Sequence, residues 1–319
     1  MLDRSLVASV AALVFAVSLP PVVEAQVPTY LMQWGTIGTG PGQFNLPSGI
    51  ALEGADVVYI ADYGNGRVQK FTASGIYLTE WNVVGGFPNG LALDGQGNIY
   101  VTCDGNDTVQ KFTTEGVPLG QWATGEYPAG IAVSSAGHVY VTELYANLVQ
   151  EFGADGTYLG QWPAVAPYGI AVDPDGNVLV ASHAFGTVTK FSPGGSSIAS
   201  WGTPGSDPGQ LNAPTGLCSD RFGNIFVADY FNHRIQEFTN TGVYLAQWGD
   251  FGTAGNGHFN YPHSVAVDPV GRVYVTDQYN GRIQVFGQLP TPATKQSWGQ
   301  VKARYAPNRG TVQPGAQGR

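Results

Sequence analysis

The sequence predicts an all-β fold, a six-bladed β-propeller with four antiparallel strands in each blade. One observation is a tryptophan that recurs with spacings of 47, 41, 40, 39 and 47 residues. Another is a phenylalanine ten residues before every one of these tryptophans except the first. Repeats of about 40 residues with four strands each are typical of propeller blades. The anchors are Trp34, Trp81, Trp122, Trp162, Trp201 and Trp248, with Phe71, Phe112, Phe152, Phe191 and Phe238.

The strands of a single blade are clearest between Leu211 and Trp248. Four short apolar runs, GLCSD, NIFVAD, RIQEF and YLAQW, are separated there by turn-forming residues. Runs of this length and composition, bounded by Gly, Asn and Asp, are typical of β-strands. Almost everything from Pro28 to Gly287 is a variant of this unit, and six copies can be counted, blades 1 to 6 in chain order.

The repeat resembles the NHL repeat. Residues 42–71 read GQFNLPSGIALEGADVVYIADYGNGRVQKF, and residues 257–286 read GHFNYPHSVAVDPVGRVYVTDQYNGRIQVF. The Gly-His and Trp-Asp pairs of WD40 repeats and the Gly-Gly of kelch repeats are missing. The resemblance covers about 260 of the 319 residues, and it implies a six-bladed propeller, in agreement with the count.

The chain starts with a segment typical of a signal peptide, residues 1–25. Arg4 is followed by an apolar run from Leu6 to Leu19, and Val23-Glu24-Ala25 offers small residues for cleavage. A membrane anchor is the alternative, but a span needs about 20 apolar residues. We therefore expect a secreted or periplasmic protein with no membrane span. Residues 26–287 would form the propeller, and the basic, Pro- and Gly-rich tail of residues 288–319 is expected to be disordered.

Charge and cysteine content narrow the possible partners. Residues 26–287 contain eight basic and 21 acidic residues, a net charge of −13. A body of this sign repels phosphate backbones, so we do not expect nucleic acid as a partner. Cys103 and Cys218 fall three blades apart, and we interpret both as small buried residues without a disulfide.

The ring is predicted to close through its N-terminal strand. Tyr30–Trp34, YLMQW, copies the fourth run of a blade without the first three. The sixth copy lacks a clear fourth run, because the tryptophan expected at position 296 is absent and Pro290 and Pro292 precede Trp298. Closure by the tail is the alternative.

Two features divide blades 5, 6 and 1 from blades 2, 3 and 4. The first group has long loops between one blade and the next, on the face where the links between second and third strands also emerge. We call this face the long-loop face, and binding loops on a rigid scaffold are where function is usually found. The same blades carry an acid and an arginine five residues apart, Asp62 with Arg67, Asp229 with Arg234 and Asp277 with Arg282. We interpret them as ion pairs that brace a turn, with contact to a ligand as the alternative.

The favoured function is a monomeric, non-catalytic binding scaffold for a protein, peptide or glycan, with no catalytic residue assigned. Tyrosine and arginine are frequent in binding hot spots, and both occur on the long-loop face. The binding-face candidates are Asp62, Tyr63, Arg67, Glu143, Tyr145, His183, Asp229, Tyr230, His233, Arg234, His263, Asp277, Tyr279 and Arg282.

A metal-assisted lyase or hydrolase at the channel mouth is the alternative function. Pro262-His263-Ser264 resembles a zinc-binding segment of peptidyl-hydroxyglycine amidating lyases, and His233 matches another ligand position of that family. Such a site needs three histidines on separate blades, whereas the positions matching His263 hold Ser48, Asn89, Ala129, Tyr168 and Thr215. Streptogramin lyases and lactonases are also propellers, and strand-end carboxylates such as Asp62, Glu143, Asp229 and Asp277 could hold Ca²⁺. We expect no cofactor, with calcium or zinc at the channel mouth as the alternative.

Overall fold

Six four-stranded antiparallel sheets make up the part of the chain that the computed structural model describes, residues 27–287. Each sheet is one blade, as predicted from the repeat. The predicted signal peptide, residues 1–25, and the predicted tail, residues 288–319, lie outside the described residues. Within the described residues there is no helix with the length and apolarity that a membrane crossing requires.

The strands of blades 1 to 3 run in chain order across each sheet. Blade 1 contains β2 (Pro47–Glu53), β3 (Val57–Asp62), β4 (Arg67–Thr72) and β5 (Tyr77–Asn82). Blade 2 contains β6 (Pro88–Leu93), β7 (Asn98–Cys103), β8 (Thr108–Thr113) and β9 (Pro118–Ala123). Blade 3 contains β10 (Pro128–Val133), β11 (Val139–Glu143), β12 (Leu148–Phe152) and β13 (Tyr158–Pro163).

Blades 4 to 6 repeat this arrangement, with one strand of blade 6 taken from the start of the chain. Blade 4 contains β14 (Pro167–Val172), β15 (Val178–Ser182), β16 (Thr187–Phe191) and β17 (Ser197–Trp201). Blade 5 contains β18 (Pro214–Ser219), β19 (Ile225–Asp229), β20 (Arg234–Phe238) and β21 (Tyr244–Trp248). Blade 6 contains β22 (Pro262–Val267), β23 (Val273–Asp277), β24 (Arg282–Gly287) and β1 (Thr29–Trp34). Short 3₁₀ helices follow the second strands of blades 1, 5 and 6, at Tyr63–Asn65, Tyr230–Asn232 and Gln278–Asn280.

The ring closes through the N-terminal strand, as predicted. β1 pairs antiparallel with β24, with Tyr30 opposite Phe286 and Trp34 opposite Ile283. The Thr29 hydroxyl adds a hydrogen bond of 2.8 Å to the carbonyl of Gly287. The ring is therefore closed at blade 6, and β24 has no unpaired edge. An unpaired strand edge could otherwise pair with a strand of another molecule.

The core lies between neighbouring blades and is built around the repeated aromatic residues. Trp81 of blade 1 packs with its ring centroid 6.2 Å from Tyr59 of the same blade and 6.0 Å from Phe112 of blade 2. Equivalent contacts recur around the ring, which supports the interpretation of the tryptophans as packing residues. Cys103 is buried and Cys218 half-buried, and both are free thiols.

The first strands of the six blades surround the central channel and approach one another closely. A Cβ atom on Gly169 would lie 2.0 Å from the carbonyl oxygen of Thr215 in the next blade, so only glycine fits there. Just before each first strand, the residue preceding the proline has a left-handed φ between 43° and 59°, at Leu46, Phe87, Tyr127, Ala166, Ala213 and Tyr261. Because all six blades share this unusual geometry, it belongs to the architecture and is not a mark of function.

Candidate functional site at the channel mouth

Two rings of side chains form the channel mouth on the long-loop face. The inner ring comes from the second residue of each first strand, and the outer ring from the residue that follows each second strand. A cavity of about 230 Å³ is lined by members of both rings. The inner ring is Ser48, Asn89, Ala129, Tyr168, Thr215 and His263, and the outer ring is Tyr63, Asp104, Leu144, His183, Tyr230 and Gln278.

A line of polar side chains crosses the inner ring. The Tyr168 hydroxyl lies 3.1 Å from Nε2 of His263 and accepts a hydrogen bond of 3.4 Å from the Asn89 amide. Burial lowers the pKa of His263 to about 4, against a smaller upward effect of the Ser48 backbone. His263 is therefore neutral at physiological pH and can act as a hydrogen-bonding group or a weak base. Its partner Tyr168 belongs to blade 4, two blades away from blade 6.

Asp104 is a carboxylate of the outer ring that the sequence analysis did not select. The Tyr63 hydroxyl donates a hydrogen bond of 3.0 Å to its Oδ2, and the Tyr127 hydroxyl is near enough to affect its pKa. Burial raises the pKa of Asp104, and the two tyrosine hydroxyls partly offset that effect. The repeat pattern concealed this residue, because in blade 2 the acid stands one position after the strand-end position occupied by Cys103.

Exposed aromatic side chains surround the mouth. We call them the aromatic collar: Phe87, Tyr145, Phe185, Phe231, Phe251 and Tyr279. On blades 5 and 6 the collar is backed by closely packed, mutually tilted rings, with Tyr261 4.8 Å from Tyr230 and 5.1 Å from Tyr279 between centroids. The Tyr230 hydroxyl also donates to Gln278 of the next blade at 2.9 Å. The predicted candidates Tyr63, Tyr145, His183, Tyr230 and Tyr279 all lie in or beside this region.

The acid and arginine pairs form buried ion pairs beneath the long loops. Arg234 Nε lies 2.7 Å from Oδ2 of Asp229, and its Nη2 donates to the carbonyls of Asp207 and Gln210 in the loop before blade 5. Oδ1 of Asp229 accepts the N–H of Asn212 at 2.7 Å. Asp62 with Arg67 and Asp277 with Arg282 repeat this geometry. These six candidates therefore lie under the loops and not at the surface.

Glu143 is also fully buried, at the end of the second strand of blade 3. Desolvation raises the pKa of its carboxyl to about 7, with a further upward effect from Asp107. The position matches the acids of the ion pairs, but the arginine position holds Leu148.

His233 and His263 lie in different surroundings. His233 accepts a hydrogen bond from the N–H of Tyr261 at its Nδ1 and packs against Phe251 at 4.9 Å between centroids. His263 packs against Tyr168 and Tyr230 inside the channel. Within residues 27–287 there is no group of three or more His, Cys, Asp and Glu side chains placed to hold a metal ion.

Three blades match a family model, that of the NHL repeat, over residues 44–71, 211–238 and 259–286. These are blades 1, 5 and 6, the blades with long loops and buried ion pairs. The resemblance recognised in the sequence is thus confirmed, and this propeller contains NHL repeats. A human protein, NHL repeat-containing protein 3, is 41% identical over 56 residues, 17% of this chain and 16% of that protein's length.

Solved structures of similar architecture include two enzymes. A gluconolactonase from Xanthomonas campestris superposes with a TM-score of 0.63 at 16% identity, over 82% of this chain and 96% of that chain. A virginiamycin B lyase from Staphylococcus aureus, solved with quinupristin, gives a TM-score of 0.58 at 13% identity, over 79% of this chain and 82% of that chain. At these identities the likeness shows the propeller fold alone.

Proposed function

We propose that this NHL-repeat propeller is a binding scaffold whose channel mouth and aromatic collar capture a protein, peptide or glycan. The observation that carries the proposal is the asymmetry between the two faces. Six large aromatic side chains stand exposed around the mouth, whereas the opposite face presents two among residues 27–287, Phe222 and Tyr158. Exposed apolar patches with a polar surround are typical of interaction sites.

The composition of the mouth suits the recognition of a side chain or a sugar ring. Tyr and Phe supply rigid contact area, and the tyrosine hydroxyls add hydrogen bonds at its edge. Asn89, Gln278 and Asp104 provide polar groups that can orient a ligand in an otherwise aromatic site.

The negative charge of the propeller and the lack of basic residues among those described at the mouth cavity restrict the charge of the partner. No Lys or Arg lines the mouth cavity in the described part of the chain, and residues 26–287 carry a net charge of −13. A neutral or cationic partner is therefore favoured over nucleic acid. We further propose that a monomer acts outside the cytoplasm, as the predicted signal peptide suggests, which cell fractionation and sedimentation would test.

Probing a glycan array and a displayed peptide library with the purified protein tests the proposal. Phe231→Ala combined with Tyr279→Ala should abolish capture, because both side chains are about half exposed and can be removed without opening the core. Phe222→Ala on the opposite face is the matched control and should leave capture unchanged. Circular dichroism should be the same for all three proteins. Capture that survives the double substitution and is lost in Phe222→Ala would contradict the proposal.

A lyase or hydrolase is the second candidate, favoured by the neutral His263 beside Tyr168 at the bottom of the mouth. The gluconolactonase and the virginiamycin B lyase are enzymes with this architecture. Turnover of lactone or streptogramin substrates, assayed with and without added divalent metal, would favour this candidate if Tyr168→Phe and His263→Asn abolished it. Absence of turnover alongside specific capture would favour the scaffold.

A further inference from the structure

Blade 3 departs from blades 1, 5 and 6 where those blades bury an ion pair. In blade 5, Oδ2 of Asp229 accepts hydrogen bonds from Arg234 at 2.7 Å and from the Gln236 amide at 2.9 Å. In blade 3, Glu143 takes the acid position and Leu148 the arginine position, directly opposite each other in the strand pair. The acid is thus retained while its cation is missing.

The other two blades without arginine, blades 2 and 4, have no carboxylate at the acid position. Blade 2 places the neutral Cys103 at the acid position, and blade 4 places Ser182, whose hydroxyl donates to the Val165 carbonyl at 2.7 Å. Blade 3 is therefore exceptional within this chain, because it keeps a carboxylate without a basic side chain to neutralise it. A buried charge without a partner is costly.

The oxygen atoms around Glu143 are unpartnered. Glu143 is 0% exposed, and neither of its carboxylate oxygens makes a hydrogen bond within residues 27–287. The Gly125 backbone favours the charged form of Glu143, but by less than burial disfavours it. Gln150, the counterpart of Gln236, has a buried Oε1 that is also unpartnered among these residues. Because Gln150 stands opposite Val141, two residues before Glu143, both side chains emerge on the same face of the sheet.

A second negative charge lies nearby. Asp107 is close enough to disfavour the ionised form of Glu143, and one of its oxygens accepts the N–H of Tyr127 at 3.0 Å. No lysine or arginine forms an ion pair with either acid among the described residues. The carboxylate of Glu143 and the amide oxygen of Gln150 thus share one face of the strand pair, with the negative charge of Asp107 acting on Glu143 and no positive charge within residues 27–287 paired with either acid.

We propose that a Ca²⁺ ion binds beside Glu143 in place of the guanidinium that blades 1, 5 and 6 supply. Ca²⁺ accepts bidentate carboxylates, amide oxygens, backbone carbonyls and water in flexible geometry. Glu143 and Oε1 of Gln150 would be its protein ligands, and Asp107 would supply the second compensating charge. Mg²⁺ fits less well because it demands octahedral geometry and keeps most of its water. With only two acids, the dissociation constant should be about 10⁻⁴ to 10⁻³ M, as in other weak calcium sites.

Thermal unfolding of the full chain tests this proposal, after chelator treatment and at a mildly alkaline pH. Added CaCl₂ in the millimolar range should raise the Tm of the parent protein, and MgCl₂ should raise it much less. Glu143→Gln should remove the calcium response, because the isosteric amide lacks the charge. Glu126→Gln is the matched control, an exposed acid next to Gly125 in the loop before blade 3, and should keep the response. Equilibrium dialysis with ⁴⁵Ca should give one ion per parent chain at this site.

A second variant keeps the test decisive if Glu143→Gln fails to fold. Leu148→Arg places a guanidinium opposite Glu143, where blades 1, 5 and 6 have theirs, so the protein should no longer respond to calcium. No calcium response in the parent would mean that a proton or water satisfies Glu143, and the proposal would be wrong. An equal response in the parent and in either Glu143→Gln or Leu148→Arg would also overturn it. These outcomes are independent of ligand capture at the channel mouth.

Discussion

At Asp229, one buried carboxylate oxygen accepts hydrogen bonds from three side chains, those of Asn232, Arg234 and Gln236. Arg234→Met removes the cation while keeping most of the side-chain volume, and leaves the charge of Asp229 uncompensated. Breaking a buried pair in this way typically costs about 3–5 kcal/mol. We expect the free energy of unfolding, measured with urea, to fall by an amount in this range.

A matched control for Arg234→Met is the partly exposed pair of Lys70 and Glu115, whose acid side chain is 70% exposed. Glu115→Gln should cost about 1 kcal/mol or less, since exposed pairs contribute little. Equal effects of the two substitutions would show that the buried pair of blade 5 does not brace its loop.

His263 should make the protein sensitive to acid. Its pKa of about 4 in the fold lies below the ordinary histidine value of 6.5, so the unfolded chain takes up a proton first. Its contribution to stability is complete above pH 6.5 and is lost as pH falls towards 4. His263→Gln should lack this dependence, as measured by Tm against pH.

The informative quantity is the difference between the parent and His263→Gln. Burial raises the pKa of Glu237 to about 7, so that residue loses stabilising effect as pH rises, the opposite sense. Subtracting the Tm of His263→Gln from that of the parent at each pH cancels the contribution of Glu237, which is present in both proteins. Parallel pH curves for the two proteins would mean that His263 is not held neutral by burial.

At the scale of elements, a contact between a tryptophan and a turn glycine links neighbouring blades at five of the six boundaries. Gly156, with φ of +86°, lies in the turn between the third and fourth strands of blade 3, and a Cβ there would come within 2.7 Å of Trp122 of blade 2. Gly176 has nearly the same φ, +85°, but a Cβ added to Gly176 would have no atom from elsewhere in residues 27–287 within 4 Å. The two glycines therefore differ in contact and not in backbone strain.

Alanine substitutions separate these two effects. Gly176→Ala should cost about 1–2 kcal/mol from the left-handed backbone alone. Gly156→Ala should cost clearly more, because Trp122 must also move from its packed position. Urea denaturation of both variants provides the comparison, and equal losses would argue against the inter-blade contact as a source of stability.

At the scale of the whole molecule, ring closure depends on β1. Deleting residues 1–34 removes the fourth strand of blade 6 and opens both edges of the ring. We expect the cooperative unfolding transition to disappear in this variant, whereas deletion of residues 288–319 should leave the Tm unchanged. A deletion of residues 1–34 that melts like the parent would contradict closure by the N-terminal strand.

The sequence was sufficient to predict the blades, their number and the closing strand, because each depends on residues that recur at a fixed spacing. The pairing of Asp62 with Arg67 could also be predicted, since both were present or absent together. Asp104 and Tyr168 could not be selected in this way. Their contacts, Tyr63 with Asp104 and Tyr168 with His263, join residues 41 and 95 positions apart and exist only once the ring is closed.

The burial of Glu143 could not be predicted from the sequence either. Its position in the repeat marked it as a strand-end carboxylate like Asp229, and that comparison suggested an accessible acid. The environment depends on the loop before blade 3, which is short and contributes no carbonyl cage for an arginine. Depth within a blade, unlike strand periodicity, is set by how loops pack over the strand ends.

The location of function at the channel mouth is tested most directly by hydrogen exchange of the protein with and without a partner recovered by the capture experiment. The account predicts protection in the links between second and third strands, residues 104–107, 183–186, 230–233 and 278–281, with little change elsewhere. These links contain four of the six outer-ring residues and three of the six residues of the aromatic collar. Protection centred instead on the opposite face, in the turns at residues 220–224 and 268–272, would contradict it.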